Sequence, residues 1–204
     1  MIKKCLFLIF VSLELISCFK LCVPNQYQFN GGTSTIYPDE DSIRIGDTLW
    51  FNCSIPLNLK YNTGIGSDSA NYNISGASNF GTDFHLTSPT GVNMQVGAMD
   101  SFTFVSITGG LKINKLDPHA SKTISFTEIG NNYVASFGII AQKKGIYALI
   151  MLDVNDGMKK CDKFSVTTFM NNADNHLHYL KDLYYGGAPI DALTATHCYC
   201  FKVY

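Results

Sequence analysis

Apolar residues in this chain recur at every second position over short runs, with polar residues between them. Residues 41–55, Asp-Ser-Ile-Arg-Ile-Gly-Asp-Thr-Leu-Trp-Phe-Asn-Cys-Ser-Ile, are the sharpest case. Ile43 and Ile45 share one face of a first strand. Leu49, Phe51, Cys53 and Ile55 share one face of a second, the period of two expected of a half-buried strand. Gly46-Asp47 between them suits a tight turn whose first central residue takes positive φ, so the stretch reads as a β-hairpin. Trp50, the sole tryptophan, points to the opposite face and covers the sheet there. Pro56 ends the second strand by removing a ladder donor.

The same alternation continues downstream. Phe84 and Leu86 oppose Asp83 and His85, and Ser88-Pro-Thr-Gly91 has the composition of a turn. Residues 100–108 place Phe102 and Phe104 opposite Val105 and Ile107, a strand that both faces could bury. Residues 111–116 and 123–129 alternate more weakly. Residues 134–140 and 145–154 form the strongest later pair, joined by Gln142-Lys-Lys-Gly145. Ile146-Tyr-Ala-Leu-Ile-Met-Leu152 is almost wholly apolar, the mark of a central strand covered on both faces. Tyr27-Gln-Phe29 reads as a short early strand inside an otherwise irregular lead-in. No helix-period segment separates these runs, which points to a mainly β, antiparallel two-sheet sandwich rather than parallel β/α units.

The tail breaks the pattern. Leu177, Leu180, Leu183 and Tyr184 recur on one helical face, Asp174 or Asn175 could cap it, and Gly186-Gly187 ends it. Residues 196–204 return as a final strand. The expected organisation is a signal over residues 1–17, a lead-in or tether over 18–38, and one β-sandwich domain over 39–204. That domain carries a helical insertion near 163–185.

The N-terminus changes the picture of address. Lys3 and Lys4 precede an apolar core from Leu6 to Ile16, too short to span a bilayer and proportioned as a secretory signal despite Glu14. Leu15-Ile-Ser-Cys18 resembles the bacterial lipobox, whose cysteine receives fatty acyl chains such as palmitate. Cys18 is then the lipidation site, and the expected location is the cell envelope, reached by general export and held at a membrane by lipid, most naturally the outer membrane. With 15 basic and 16 acidic side chains the formal net charge is −1, and no basic patch or aromatic–basic interleaving marks a nucleic-acid surface.

Of seven cysteines, Cys5 and Cys18 belong to the signal and the lipid site, leaving Cys22, Cys53, Cys161, Cys198 and Cys200. An odd number in an oxidising compartment leaves at least one thiol free or paired between molecules. Cys198 and Cys200 share one face of a strand, with Tyr199, Phe201 and Val203 on the other. The preferred disulfide joins Cys161 to Cys198 or Cys200, which would staple the C-terminal segment to the sheet. Cys53 reads as a small buried hydrophobe.

Candidate chemistry is sparse. His176-Leu-His178 lacks a third ligand at a useful spacing and reads as a pair of surface histidines on a helix. Asp153-Val-Asn-Asp-Gly157 departs from the calcium loop in register and lacks its distant glutamate, and is better read as a turn. No nucleophile elbow, phosphate loop or zinc-protease motif is present. The chain therefore reads as a non-enzyme with no catalytic residues, no cofactor and no metal. Residues 61–69 form a glycine-rich polar loop, where binding tends to reside. Tyr61 and Tyr72 flank it as candidate ligand-surface residues. Asp41-Ser-Ile43, Asp47-Thr-Leu49 and Asp68-Ser-Ala70 resemble the acceptor motif of the general O-glycosylation system of Bacteroidota, with Ser69 the preferred site.

Together, the lipobox, Ile45-Gly-Asp-Thr-Leu-Trp-Phe51 and the strand entry Lys144-Gly-Ile-Tyr147 resemble the uncharacterised secreted lipoproteins of Bacteroidota with immunoglobulin-like β-sandwich folds. The resemblance covers roughly residues 35–160, implies a fold and an address, and carries no catalytic residues. The expected function is a lipid-anchored binding or assembly module for a protein partner in the envelope. Its signature would be an exposed aromatic face including Trp50, Tyr184 and Tyr185. The alternative, a surface glycan-binding lipoprotein, requires two or three aromatic rings converging on one groove.

Overall fold

The computed structural model describes residues 24–62, 69–113 and 115–204. The structure is mainly β, with two short helices. The strands in chain order are β1 (Gln26–Tyr37), β2 (Ser42–Ile43), β3 (Thr48–Pro56), β4 (Asn58–Asn62), β5 (Ser69–Asn73), β6 (Gly81–Gly91), β7 (Met94–Gly97) and β8 (Phe102–Thr108). They continue with β9 (Gly110–Ile113), β10 (Ser121–Ser125), β11 (Thr127–Ile129), β12 (Asn132–Ala141), β13 (Gly145–Met151), β14 (Val154–Lys159) and β15 (Asp162–Met170). Helices α1 (His178–Leu183) and α2 (Ala192–His197) precede the last strand, β16 (Cys198–Val203).

Fourteen strands form one mixed sheet, ten of them in the order β11-β12-β3-β1-β15-β14-β6-β13-β16-β2, with β7 and β10 also paired to β6, β9 to β10 and β8 to β12, and β4-β5 form a separate hairpin. The large sheet has two halves, joined at β14-β6 by the register pair Asn155 and Gly81. Their apolar faces meet in one core. The Phe84 and Phe137 rings lie 5.0 Å apart and those of Phe102 and Tyr147 4.7 Å apart, each pair bringing one ring from either half. Burial of such a side chain stabilises by about 1.5–3 kcal/mol, and this shared core is what holds the halves together.

β3 keeps the expected alternation, with Leu49, Phe51, Cys53 and Ile55 all buried. Trp50 is half-buried on the outer face against Gly138, its cross-strand partner. A Cβ at Gly138 would stand 2.9 Å from the indole, so only glycine admits the ring there. β13 is covered on both faces, as its apolar run predicts. Leu149 joins the main core, while Ala148 packs with Leu180, Cys198 and Cys200 beneath α1.

Several expectations are corrected. Gly46 takes φ +91° and Asp47 N–H donates to the Arg44 carbonyl at 3.0 Å, so the turn forms. The hairpin does not. β2 joins β16 in parallel, whereas β3 lies between β1 and β12. Ile43 is buried but Ile45 is 47% exposed, because the turn carries the chain from one half of the sheet to the other. Parallel pairing of β1 with β15 and of β16 with β2 makes the sheet mixed rather than antiparallel.

Residues 26–37 are not a lead-in but a twelve-residue interior strand. Gly32 permits this, since a Cβ there would sit 2.3 Å from Thr168 Cγ2 of the neighbouring β15. Residues 162–170 are strand, and the α-helix that follows is two six-residue pieces, His178–Leu183 and Ala192–His197. β8 pairs with β12 and leaves Val105 and Ile107 exposed, so it is not covered on both faces. Residues 88–91 continue β6. Asn155 and Gly157 lie in β14, where a bulge rather than a turn accommodates the extra residues.

Candidate functional site

A concavity of about 700 Å³ opens where β1 and β15 run side by side. Parallel register sets Gln26 beside Lys163, Tyr27 beside Phe164 and Gln28 beside Ser165, and all six line the cleft. Tyr61 reaches it from β4 and Asn155 from β14. The β4-β5 hairpin folds over β1 because Leu59 and Tyr61, on one face of β4, pack against the main core.

The rings form one connected group. Tyr27 meets Tyr61 edge-on at 5.1 Å and Tyr72 at 4.8 Å, and both β4-β5 tyrosines also contact buried Phe29, at 6.2 and 5.7 Å. Such pairs contribute about 0.5–1.5 kcal/mol beyond their buried area and hold the rings in fixed relative orientation. Tyr72 OH donates to Asp162 Oδ2 at 2.8 Å, and Asn25 Nδ2 donates to Asp162 Oδ1 at 3.0 Å, so one carboxylate fastens the hairpin and the start of β1. Burial, followed by the Asp162 hydrogen bond, raises the Tyr72 phenol well above its ordinary value. Burial and the charge of Asp162 raise Tyr27 also. Both rings are therefore neutral amphipathic plates near pH 7.

The expected ligand residues are thus brought together. Tyr61 lines the cleft, and Tyr72 stands against Tyr27. Sequence reasoning missed the residues that complete the site: Gln26, Tyr27, Gln28, Asn155, Lys163 and Ser165. Tyr27-Gln-Phe29 did signal a strand, but its parallel partner lies far along the chain. Asn155 also lines a separate polar concavity of about 370 Å³ that includes Thr82, Asp83, Thr123 and Asp153. There Thr123 Oγ1 donates to Asp83 Oδ1 at 2.6 Å.

The residues expected to mark an assembly face are less open. Trp50, Tyr184 and Tyr185 are all half-buried, the two tyrosines packed around Leu180 and Cys200. Among the described residues no group of three or more His, Cys, Asp or Glu could hold a metal ion. His176 is not a surface residue. It precedes α1 at φ +51°, is buried edge-on against Tyr199, and has Nε2 3.4 Å from Asp39 Oδ1.

The preferred disulfide is overturned. Cys198 and Cys200 are free, buried thiols with their sulfurs 3.7 Å apart on the face of β16 under α1, and Cys161 is disulfide-bonded to neither. Contact with Cys200, reinforced by burial, holds the Cys198 thiol well above its ordinary value, and burial pushes Cys53 up to about 12. Ser69 opens β5 opposite Asn62 rather than lying in a loop. Cys18 and the signal lie outside the described residues.

No family model matches this chain, and no curated protein matches it. Among solved structures it is similar to the human F-spondin reeler domain, with 12% identity, a TM-score of 0.39, and coverage of 76% of this chain and 94% of that one. It is also similar to a chain of a type II cohesin–X-dockerin complex from Acetivibrio cellulolyticus, at 13% identity and a TM-score of 0.29, covering 69% of this chain and 96% of that one. A third similarity is to the CupB6 tip adhesin from Pseudomonas aeruginosa, at 11% identity and a TM-score of 0.23, covering 73% of this chain and 42% of that one.

Proposed function

We propose that this protein is a lipid-anchored envelope protein, an immunoglobulin-like β-sandwich tethered through Cys18, that binds glycan without catalysis through the Tyr27–Tyr61 cleft. The observation that carries this reading is the composition of the cleft. Half-exposed tyrosine rings supply apolar plates, and Gln26, Gln28, Asn155, Lys163 and Ser165 surround them with donors and acceptors. A sugar ring has the matching chemistry, with C–H groups on its faces and hydroxyls around its edge. Binding sites of this kind combine apolar contact with a few placed polar groups. The rings are already braced by Phe29 and Asp162, so little ordering cost attends binding. An assembly surface would need a broader open aromatic face than Trp50, Tyr184 and Tyr185 offer.

The test is titration of immobilised oligosaccharides with the full chain in mild detergent. Tyr27→Ala or Tyr61→Ala should weaken binding about tenfold each, equivalent to about 1.4 kcal/mol. Both variants should also unfold at a lower temperature, since each loses ring contacts, so binding is compared well below either midpoint. Unchanged affinity in both variants would refute the cleft as the binding site.

A further inference from the structure

The tyrosine cleft holds a charge that a neutral sugar leaves unused. Its described walls supply amides from Gln26, Gln28 and Asn155, the Ser165 hydroxyl, and the rings of Tyr27, Tyr61 and Phe164. Lys163 is the one Lys, Arg, Asp or Glu among them. Strand alternation sets Lys163 on the exposed face of β15 while its neighbour Phe164 is buried, and parallel register places it beside Gln26, one residue from Tyr27. Its backbone N–H donates to the Asn25 carbonyl at 2.9 Å, which fixes where the side chain starts. The adjacent acid, Asp162, is engaged elsewhere, its Oδ2 accepting from Tyr72 OH and its Oδ1 from Asn25 Nδ2. Every ion pair among the described residues involves a histidine, so the Lys163 ammonium has no carboxylate partner there.

Charge then narrows the sugar. A cleft whose walls carry one sign of charge concentrates ligands of the other. In a uronic acid the carboxylate is borne on the ring itself, so a pyranose laid on Tyr27 and Tyr61 presents it at the rim, where Lys163 stands beside Gln26. A phosphate group carries about −1.5 to −2 and is best met by more than one cation, whereas one ammonium balances one carboxylate. We infer that the cleft selects uronic acid residues, the sugar ring lying against Tyr27 and Tyr61 and Lys163 Nζ donating to its carboxylate. The assignment rests on the glycan reading of the tyrosine cleft and names the class of sugar.

The test uses the full chain in mild detergent with tetramers of galacturonate, mannuronate and glucuronate, each beside its methyl ester, which keeps length and linkage and removes the charge. Calorimetry at low salt should show at least one uronate tetramer binding about fivefold more tightly than its ester, the upper range for a solvent-exposed ion pair. The preference should shrink as added salt screens the pair. Lys163→Gln replaces an exposed side chain, so the fold is kept. It should remove the preference and leave affinity for the ester unchanged, while Lys163→Arg should retain the preference. Esters bound as tightly as the acids by the parent, or a preference that survives Lys163→Gln, would overturn the uronate assignment and leave the glycan reading standing. Binding of neither acids nor esters would overturn the assignment, and the glycan reading falls with it only if the immobilised oligosaccharides are silent too.

Discussion

The tyrosine cleft and the helical cap make opposite use of burial. At the cleft, rings from β1, β4 and β5 are half-exposed while the polar atoms bracing them are satisfied, Asp162 accepting from both Tyr72 and Asn25. In the cap, Leu180 of α1 is buried with Cys198 and Cys200 beneath it, yet Asn175 Oδ1, His176 Nε2 and His197 Nε2 nearby have no hydrogen-bond partner. A ligand can enter the first region without breaking anything. The second is held by apolar contact, with His176 and His197 each set 3.4 Å from a carboxylate oxygen.

The rings of the cleft rest on a buried floor, Phe29. Phe29→Ala removes a 2% exposed ring shared by Tyr27, Tyr61, Tyr72 and Phe164, and should cost about 3–5 kcal/mol in urea unfolding together with glycan binding. Stability loss without loss of binding would mean the rings do not depend on that floor. In the cap, Leu180→Ala should cost about 2–5 kcal/mol. It should also let Cys198 and Cys200 react with iodoacetamide at pH 8, where the parent's buried thiols are inert, as Cys53 stays in both. Equal labelling of parent and variant would show that α1 is not what shields them.

The smallest effect concerns the start of α2. Asp191 Oδ1 accepts from Thr194 N–H at 2.8 Å, and Oδ2 from Thr194 Oγ1 and Tyr185 OH, which lowers its pKa from 3.8 to about 2. A depressed folded pKa contributes stability that is present above the unfolded value and lost as pH falls through the folded one. Asp191→Ala should therefore lower the midpoint of thermal unfolding slightly at pH 7. The gap should close between about pH 4 and pH 2. A gap that persists at pH 2 would mean the cap acts through something other than the ionised carboxylate.

Much of the local structure was legible. The period of two at Leu49, Phe51, Cys53 and Ile55, the both-face burial of β13, and the opposed faces of Cys198/Cys200 and Tyr199/Phe201 followed from side-chain identity, because a strand's alternation is a local property. Tyr61 and Tyr72 were singled out, but not Tyr27, whose place beside Phe164 depends on a parallel pairing across the chain.

Sequence by itself determined the mainly β class, the alternation of the strongest strands and the positive φ at Gly46, since sterics and hydrophobic periodicity act within a few residues. Only the tertiary structure decided that the turn at Gly46 separates two halves of a sheet instead of closing a hairpin. It alone kept Cys161 apart from Cys198 and Cys200, buried His176 and His197, and drew Tyr27, Tyr61 and Asn155 to one groove. Those outcomes depend on which distant strands pair and which apolar faces meet, and a core shared by the whole chain is not written in any one stretch of it.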